Sequence, residues 1–308
     1  MIWDRWFLEI TLEAEEIANR YLKHLLIFIL LISVIPVCLY SQEQNNQKRG
    51  IFLFKKDEVF KPLKASVFEA RNGVTKDLND DYLKLDIGAS IDVIGYRDSM
   101  KVYSAGVDFF TFSYLRSESN FKFPVDAIDY FFGVNFNYKR QLMKCLSLSS
   151  RLRISHISSH FEDGHKYPRT DTIFTPVVYS REFMNIDFML DYYFAKKYNI
   201  RGLLGVEYLF KSIPDDFGSI SGQLGGEFRY NITDWMTYYF SDEVRAVKVD
   251  TISGSYNLNN NLETGLRFGF NNTTGMSVFF TYYDGQDYKG QYYYRMTNYK
   301  GIGFTVDF

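Results

Sequence analysis

Residues 82–95, YLKLDIGASIDVIG, alternate apolar and polar side chains almost without a break. Leu83, Leu85, Ile87, Ala89, Ile91 and Val93 form one set, with Lys84, Asp86, Ser90 and Asp92 between them. A period of two belongs to a β-strand with unlike faces. Working outward, the pattern recurs. Phe132, Val134, Phe136 and Tyr138 alternate with Gly133, Asn135, Asn137 and Lys139, and Leu152 and Ile154 with Arg151 and Arg153. Ile186, Phe188, Leu190 and Tyr192 alternate with Asn185, Asp187 and Asp191, and Leu266, Phe268 and Phe270 with Gly265, Arg267 and Gly269. Twelve strands are predicted, near 62–70, 82–95, 102–112, 130–139, 144–156, 182–194, 198–210, 219–230, 235–246, 261–271, 275–284 and 298–308.

The connections carry further information. After the second strand they run short, long, short, long, with tight turns such as Arg97-Asp98-Ser99 and Asn231-Ile232-Thr233 and long stretches such as 113–129, 157–181 and 285–297. Pro62, Pro124, Pro168, Pro176 and Pro214 all fall in loops or at strand starts, where a missing N–H does no harm. An even number of tilted strands of ~10 residues, with turns at one end and loops at the other, predicts an all-β fold. The expected form is a 12-stranded antiparallel transmembrane β-barrel over residues 62–308, in the bacterial outer membrane. Lipid satisfies no open strand edge, so the sheet must close. A soluble sandwich or lipocalin-like barrel needs an apolar interior, yet here the polar face carries Arg and Asp in many strands. A lumen lined by both signs of charge is expected to pair internally and be largely filled, which weighs against a general porin. The chain ends with Ile302, Phe304, Val306 and Phe308 on one face. That ending resembles the signal read by the barrel-assembly machinery, an expected partner beside outer-membrane lipids.

Composition removes several other classes. With 35 Lys+Arg against 37 Asp+Glu there is no basic footprint for nucleic acid. A charged fraction of 23% and a mean hydropathy of −0.22 exclude a multi-span helical membrane protein. Aromatics at 19% with six prolines exclude a disordered chain.

Residues 25–40, LLIFILLISVIPVCLY, are too short to span a bilayer, which takes ~20 residues, and follow Arg20, Lys23 and His24. They read as a secretory signal, with cleavage expected after Ser41 and residues 1–41 removed. Residues 1–19 are acidic where a signal wants positive charge, at Asp4, Glu9, Glu13, Glu15 and Glu16. A misassigned start codon would account for them. Residues 42–61 are then a periplasmic segment, and the shortened chain keeps Cys145 as its lone cysteine, without an internal disulfide.

The three histidines beyond the leader share one window, HISSHFEDGH at 156–165. His156 and Ser158 lie two residues apart on the lipid-facing side of one strand, and Glu182 opens the next strand on the same side. Such a rim suits a membrane-surface esterase, with Ser158 as nucleophile, His156 as base and Glu182 orienting the imidazole. Two other readings stand beside it. One is a hydrogen-bonded loop end without chemistry. The other is a metal site, drawn from His160, Asp163 and His165 with His156 and Glu162 near them.

His156-Ile157-Ser158 resembles the His-x-Ser motif of outer-membrane phospholipase A and of the lipid A deacylases, barrels that hold the catalytic pair on their outer surface. Tyr282-Tyr283-Asp284-Gly285 through Gly301-Ile302-Gly303 resembles the phospholipase's last hairpin. That likeness implies lipid ester hydrolysis and a calcium cofactor, through loop acids such as Asp163 or Asp171. The phospholipases use Asn as third residue, whereas Glu182 resembles the deacylases. The phospholipase pattern follows its Ser with Asn-Gly; here Ser159 and His160 stand in those places. A wider resemblance, over most of residues 60–308, is to domain-of-unknown-function family 1207, through Phe60-Lys61-Pro62-Leu63, Ser158-Ser159-His160 and Tyr179-Ser180-Arg181-Glu182. It implies an exported barrel and no established activity. The expected function is outer-leaflet lipid hydrolysis by a monomer or homodimer. The alternative is a non-enzymatic barrel, either a small-solute channel or an envelope scaffold.

Overall fold

Arg153, Asp187 and Glu263 are buried in this protein, while Phe136 and Leu204 are 53% and 57% exposed. Burial is thus inverted relative to a soluble barrel: charge lines the inside and hydrocarbon the outside, as lipid requires. The computed structural model describes residues 49–56, 59–161, 177–195, 197–270 and 274–307. Its strands are β1 (Gly50–Lys56), β2 (Gly73–Asp77), β3 (Tyr82–Arg97), β4 (Lys101–Arg116), β5 (Val125–Met143), β6 (Leu146–Phe161) and β7 (Tyr179–Ala195). They continue as β8 (Tyr198–Ile213), β9 (Ile220–Asn231), β10 (Met236–Lys248), β11 (Tyr256–Phe268), β12 (Gly275–Gln286) and β13 (Met296–Asp307). From β2 to β13 each strand pairs antiparallel with the next, and β13 returns to β2 with Gly301 opposite Asp77 and Thr305 opposite Gly73. The result is a closed antiparallel barrel of twelve strands in the bacterial outer membrane. β1 extends the edge of β3 below β2, with Gly50 opposite Arg97 and Lys56 opposite Ile91.

Strand faces follow the alternation except at bulges. A bulge after Asp92 shifts the register, so Ile94 and Tyr96 take the outer face and Gly95 turns inward. The strands also run past the predicted ends: β5 reaches Val125 where 130 was expected.

Residues 62–70, expected as the first strand, are not one. The chain leaves the wall after β1, fills the lumen over residues 59–72, and rejoins the wall as β2. Over 64–69 the chain runs through turns, with Ser66 N–H donating to the Leu63 carbonyl at 3.2 Å, and period two cannot separate these cases, because a segment crossing a lumen also presents side chains to opposite walls. Its backbone bonds go to inward side chains instead of to a ladder. Arg201 donates to the Pro62 carbonyl at 3.1 Å, Lys64 N–H to Glu227 at 2.6 Å, and Ala65 N–H to Ser241 at 3.1 Å. Glu69 accepts from both Arg151 and Arg153, the latter at 2.7 Å, and Arg71 reaches Glu263 at 2.6 Å. Val59, Phe60, Leu63 and Ala65 are buried there, with the Arg151 guanidinium 4.2 Å from the Phe60 ring centre. The charged lumen is largely this plug's binding site.

The loop end is capped as well. Residues 286–295, with a 3-10 turn at Gly290–Tyr292, fold over the barrel mouth. Gly290 N–H donates to Asp129, Tyr292 Oη to Asp126 at 2.5 Å, and Tyr293 Oη to Asp216 at 2.6 Å. Burial first, then the adjacent carboxylates, push both tyrosine hydroxyls well above their usual range, so they remain donors. A cavity beside Glu69, Arg153 and Glu243 measures about 10 Å³, room for one water. In planar bilayers the purified protein is therefore expected to give no steady ion conductance. Stable single-channel steps would contradict the filled lumen.

Cys145 is buried. A chain shortened at Ser41 lacks Cys38, the other cysteine of the sequence, and keeps Cys145 alone. For protein recovered from outer membranes we expect an N-terminus at Gln42 and one alkylatable thiol after denaturation. Intact-mass measurement reads both, and a retained leader with no free thiol contradicts the processing.

Candidate active site on the outer rim

β6 and β7 lie side by side in a register that sets His156 opposite Glu182 and Ser158 opposite Ser180. On β6 the odd residues Arg151, Arg153, Ser155 and Ser159 are buried toward the lumen, so His156, Ser158 and His160 point outward. His156 Nδ1 lies 3.9 Å from Glu182 Oε1, with side chains 42% and 51% exposed. That is ion-pair range and longer than a hydrogen bond. Ser158 shares the face, two residues along, and is half-buried between Tyr130 of β5 and Ser180. No hydrogen bond joins Ser158 to His156 in this structure. Catalytic contacts are often loose without substrate.

The neighbours define a level in the membrane. Below the pair, along the same faces, lie Ile154 with Met184 and then Leu152 with Ile186, an apolar band flanked by Val134 and Phe136. Above it the outward residues turn polar: Ser158, Ser180 and the exposed His160, whose ring meets Tyr130 edge-on at 5.9 Å. On β8 the register shifts so that Glu182 pairs with Lys211 and Phe183 with Leu209. This bulge turns Phe210 and Lys211 both outward. Lys211 adds a cation beside Glu182 that the alternation did not single out. A charge directly after Leu209-Phe210 is the one signal that marked it.

A second residue is illegible in the sequence. Gln291, from the mouth-capping loop, is 1% exposed and lies behind the site. Its amide donates to the Ser159 carbonyl at 2.6 Å and the Val177 carbonyl at 2.8 Å, and it accepts from Val177 N–H at 3.1 Å. The β6–β7 ladder ends at Ser159 opposite Tyr179. Gln291 ties the two strands together just beyond that point, from 132 residues away along the chain.

Of the metal-site residues, Asp163 and His165 lie outside the described residues, as do Glu162 and Asp171, while His160 points outward from the strand end. Among the described residues no three His, Cys, Asp or Glu come close enough to hold an ion.

A family model for proteins of unknown function matches residues 103–308, well over half of the chain. The chain belongs to the DUF1207 family. No curated protein matches this DUF1207 chain. Among solved structures it is similar to outer-membrane phospholipase A from Escherichia coli, in an active-site mutant, at 13% identity and TM-score 0.49, covering 80% of this chain and 93% of that one. It is also similar to LpxR from Salmonella typhimurium, at 12% identity and TM-score 0.43 over 77% and 98%. A third likeness is to the Pseudomonas putida toluene transporter TodX, at 8% and 0.41 over 73% and 69%. No activity passes from these to the DUF1207 chain.

Proposed function

We propose that this protein hydrolyses acyl esters of outer-leaflet lipids. The carrying observation is His156 paired directly across the strands with Glu182, on the lipid-facing side and above an apolar band, with Ser158 on the same face. Glu182 approaches Nδ1, which leaves Nε2 for Ser158, the division of labour a Ser-His-acid group needs. Ser158 Oγ attacks the ester carbonyl while His156 takes its proton. The lipid alcohol leaves with that proton, and the acyl group stays on Ser158. A water, deprotonated by His156, then attacks the acyl carbon and releases the fatty acid. A bilayer lipid whose chains lie along Ile154, Met184 and Ile186 brings its ester to this level without leaving the membrane. Polar groups are expensive at mid-bilayer on a lipid-facing surface and cheap near the interface.

The filled lumen gives no support to a solute channel, so the competing reading is an envelope scaffold. The test is fatty-acid release from phospholipid mixed micelles and from lipopolysaccharide, by wild type and Ser158→Ala. Release by the wild type alone is expected. Equal release by both proteins, or none by either, removes the hydrolase.

A further inference from the structure

The outward residues of β5 run Phe132, Val134, Phe136, Tyr138 and then Arg140, and those of β4 run Phe109, Val107, Ala105, Tyr103 and then Lys101. The register matches them row by row, from Phe109 opposite Phe132 to Lys101 opposite Arg140. His156 stands opposite Phe132 at the outer rim. From that row to Arg140 the strand covers about 26 Å, enough with tilt to cross most of an apolar belt about 25 Å tall. Tyr103 and Tyr138, with ring centres 5.0 Å apart, mark the inner interface just above the two cations. Like charges directly opposite one another across strands repel. Arg140 is exposed, as is Lys144 in the following turn, and none of these three cations pairs with an acid among the described residues. Asp98, in the adjoining turn, is held by Arg49 at 3.3 Å. At the same end of β7–β9 the rim carries rings instead, with Tyr198 stacked on Phe194 and on Tyr230.

We infer that the inner rim of β4 and β5 binds an anionic phospholipid of the inner leaflet, its phosphate between Lys101 and Arg140. A phosphate there turns one repulsion into two attractions, and the Arg140 guanidinium can take two of its oxygens in parallel bonds. The surroundings favour lipid over an acidic soluble protein. Met100, Leu142 and Met143 lie at the same strand ends and are 53%, 45% and 60% exposed. Gln141 N–H donates to the Met100 carbonyl at 2.9 Å, which joins the two ends into one patch. Cations flanked by bare apolar side chains suit charged headgroups over hydrocarbon. The acyl chains then run along Tyr138 and Phe136, the apolar band already facing lipid. This site lies at the opposite face of the membrane from Ser158, and the inference does not depend on hydrolysis.

The test uses protein recovered from outer membranes in neutral detergent, carrying Ser158→Ala so that no probe is consumed. It is titrated with phosphatidylglycerol or phosphatidylcholine of the same chains, and bound lipid is counted by native mass spectrometry. Tighter binding of phosphatidylglycerol is expected. Lys101→Gln with Arg140→Gln should weaken it roughly 30-fold, the effect of two cations at an anionic surface, and leave phosphatidylcholine unchanged. Lys122→Gln, exposed in the β4–β5 loop at the other end of the barrel, should change neither. Heat-modifiable gel mobility shows whether each variant is a folded barrel. If the double variant fails to fold, Arg140→Gln alone is expected to cost roughly fivefold. Equal binding of the two lipids, an unchanged phosphatidylglycerol affinity in the folded variants, or an equal loss in Lys122→Gln overturns the proposal. Displacement of the lipid by equimolar glycerol phosphate also overturns it, since the site would then take a free phosphate.

Discussion

Glu69→Leu is expected to lower barrel stability by about 3 kcal/mol, the scale for removing one partner of a buried charge cluster, and to start ion conduction. Glu69 holds two buried guanidiniums at once. After the substitution Arg151 keeps Asp187 at 2.9 Å and Arg153 keeps Asp108 at 3.2 Å, but each loses a hydrogen-bonded carboxylate oxygen inside the lumen. The same change unfastens the plug at the point where it passes back toward β2, since Glu69 and Arg71 are its last charged anchors before Gly73. The heat-modifiable transition in detergent reads the stability, and planar-bilayer recording reads the lumen. An unchanged midpoint together with silent bilayers would show that the plug is held elsewhere.

The second large effect lies on the outer face. Ser158→Ala is expected to reduce fatty-acid release by roughly 10³-fold or more, because removing the nucleophile leaves only binding and charge stabilisation. His156→Ala should fall to a similar level, and the double variant no lower, since groups that act as a unit are not additive. Glu182→Gln should be milder. Its carboxylate is half exposed and 3.9 Å from the imidazole, so water screens much of its effect; a loss of roughly 10- to 100-fold in kcat is expected, below the 10⁴ of a buried acid. A Glu182→Gln loss as deep as that of Ser158→Ala would mean that the pair tightens far more than the free geometry indicates.

Much of the barrel was legible in the sequence because two physical constraints act on every residue. Lipid outside and a charged lumen inside impose a period of two, and strand pairing imposes an even count with alternating connection lengths. Those constraints also placed Glu182: parity alone puts it on the face of His156, and the register sets the two directly opposite. What escaped the reading obeys other rules. Strand ends such as Val125–Ile128 lie above the apolar band, where the ladder continues on backbone hydrogen bonding without an apolar pattern to mark it. Residues 62–70 carry a strand's alternation yet bond to Arg201, Glu227 and Ser241 across the lumen. Recognising them as a plug required knowing which charges the closed barrel brings together. Gln291 and Lys211 were missed for the same reason. Each matters through a neighbour that only the closed barrel and its bulge supply.

Activation of Ser158 as a nucleophile on a lipid-facing surface can be tested without knowing the substrate. A fluorophosphonate probe phosphonylates a serine only when a neighbouring base takes its proton. Folded protein in detergent should take up one probe per chain, mapped by peptide mass to the segment containing Ser158. His156→Ala and heat-unfolded protein should take up none. Labelling that is absent from the folded wild type, or that persists unchanged in His156→Ala, would contradict the account.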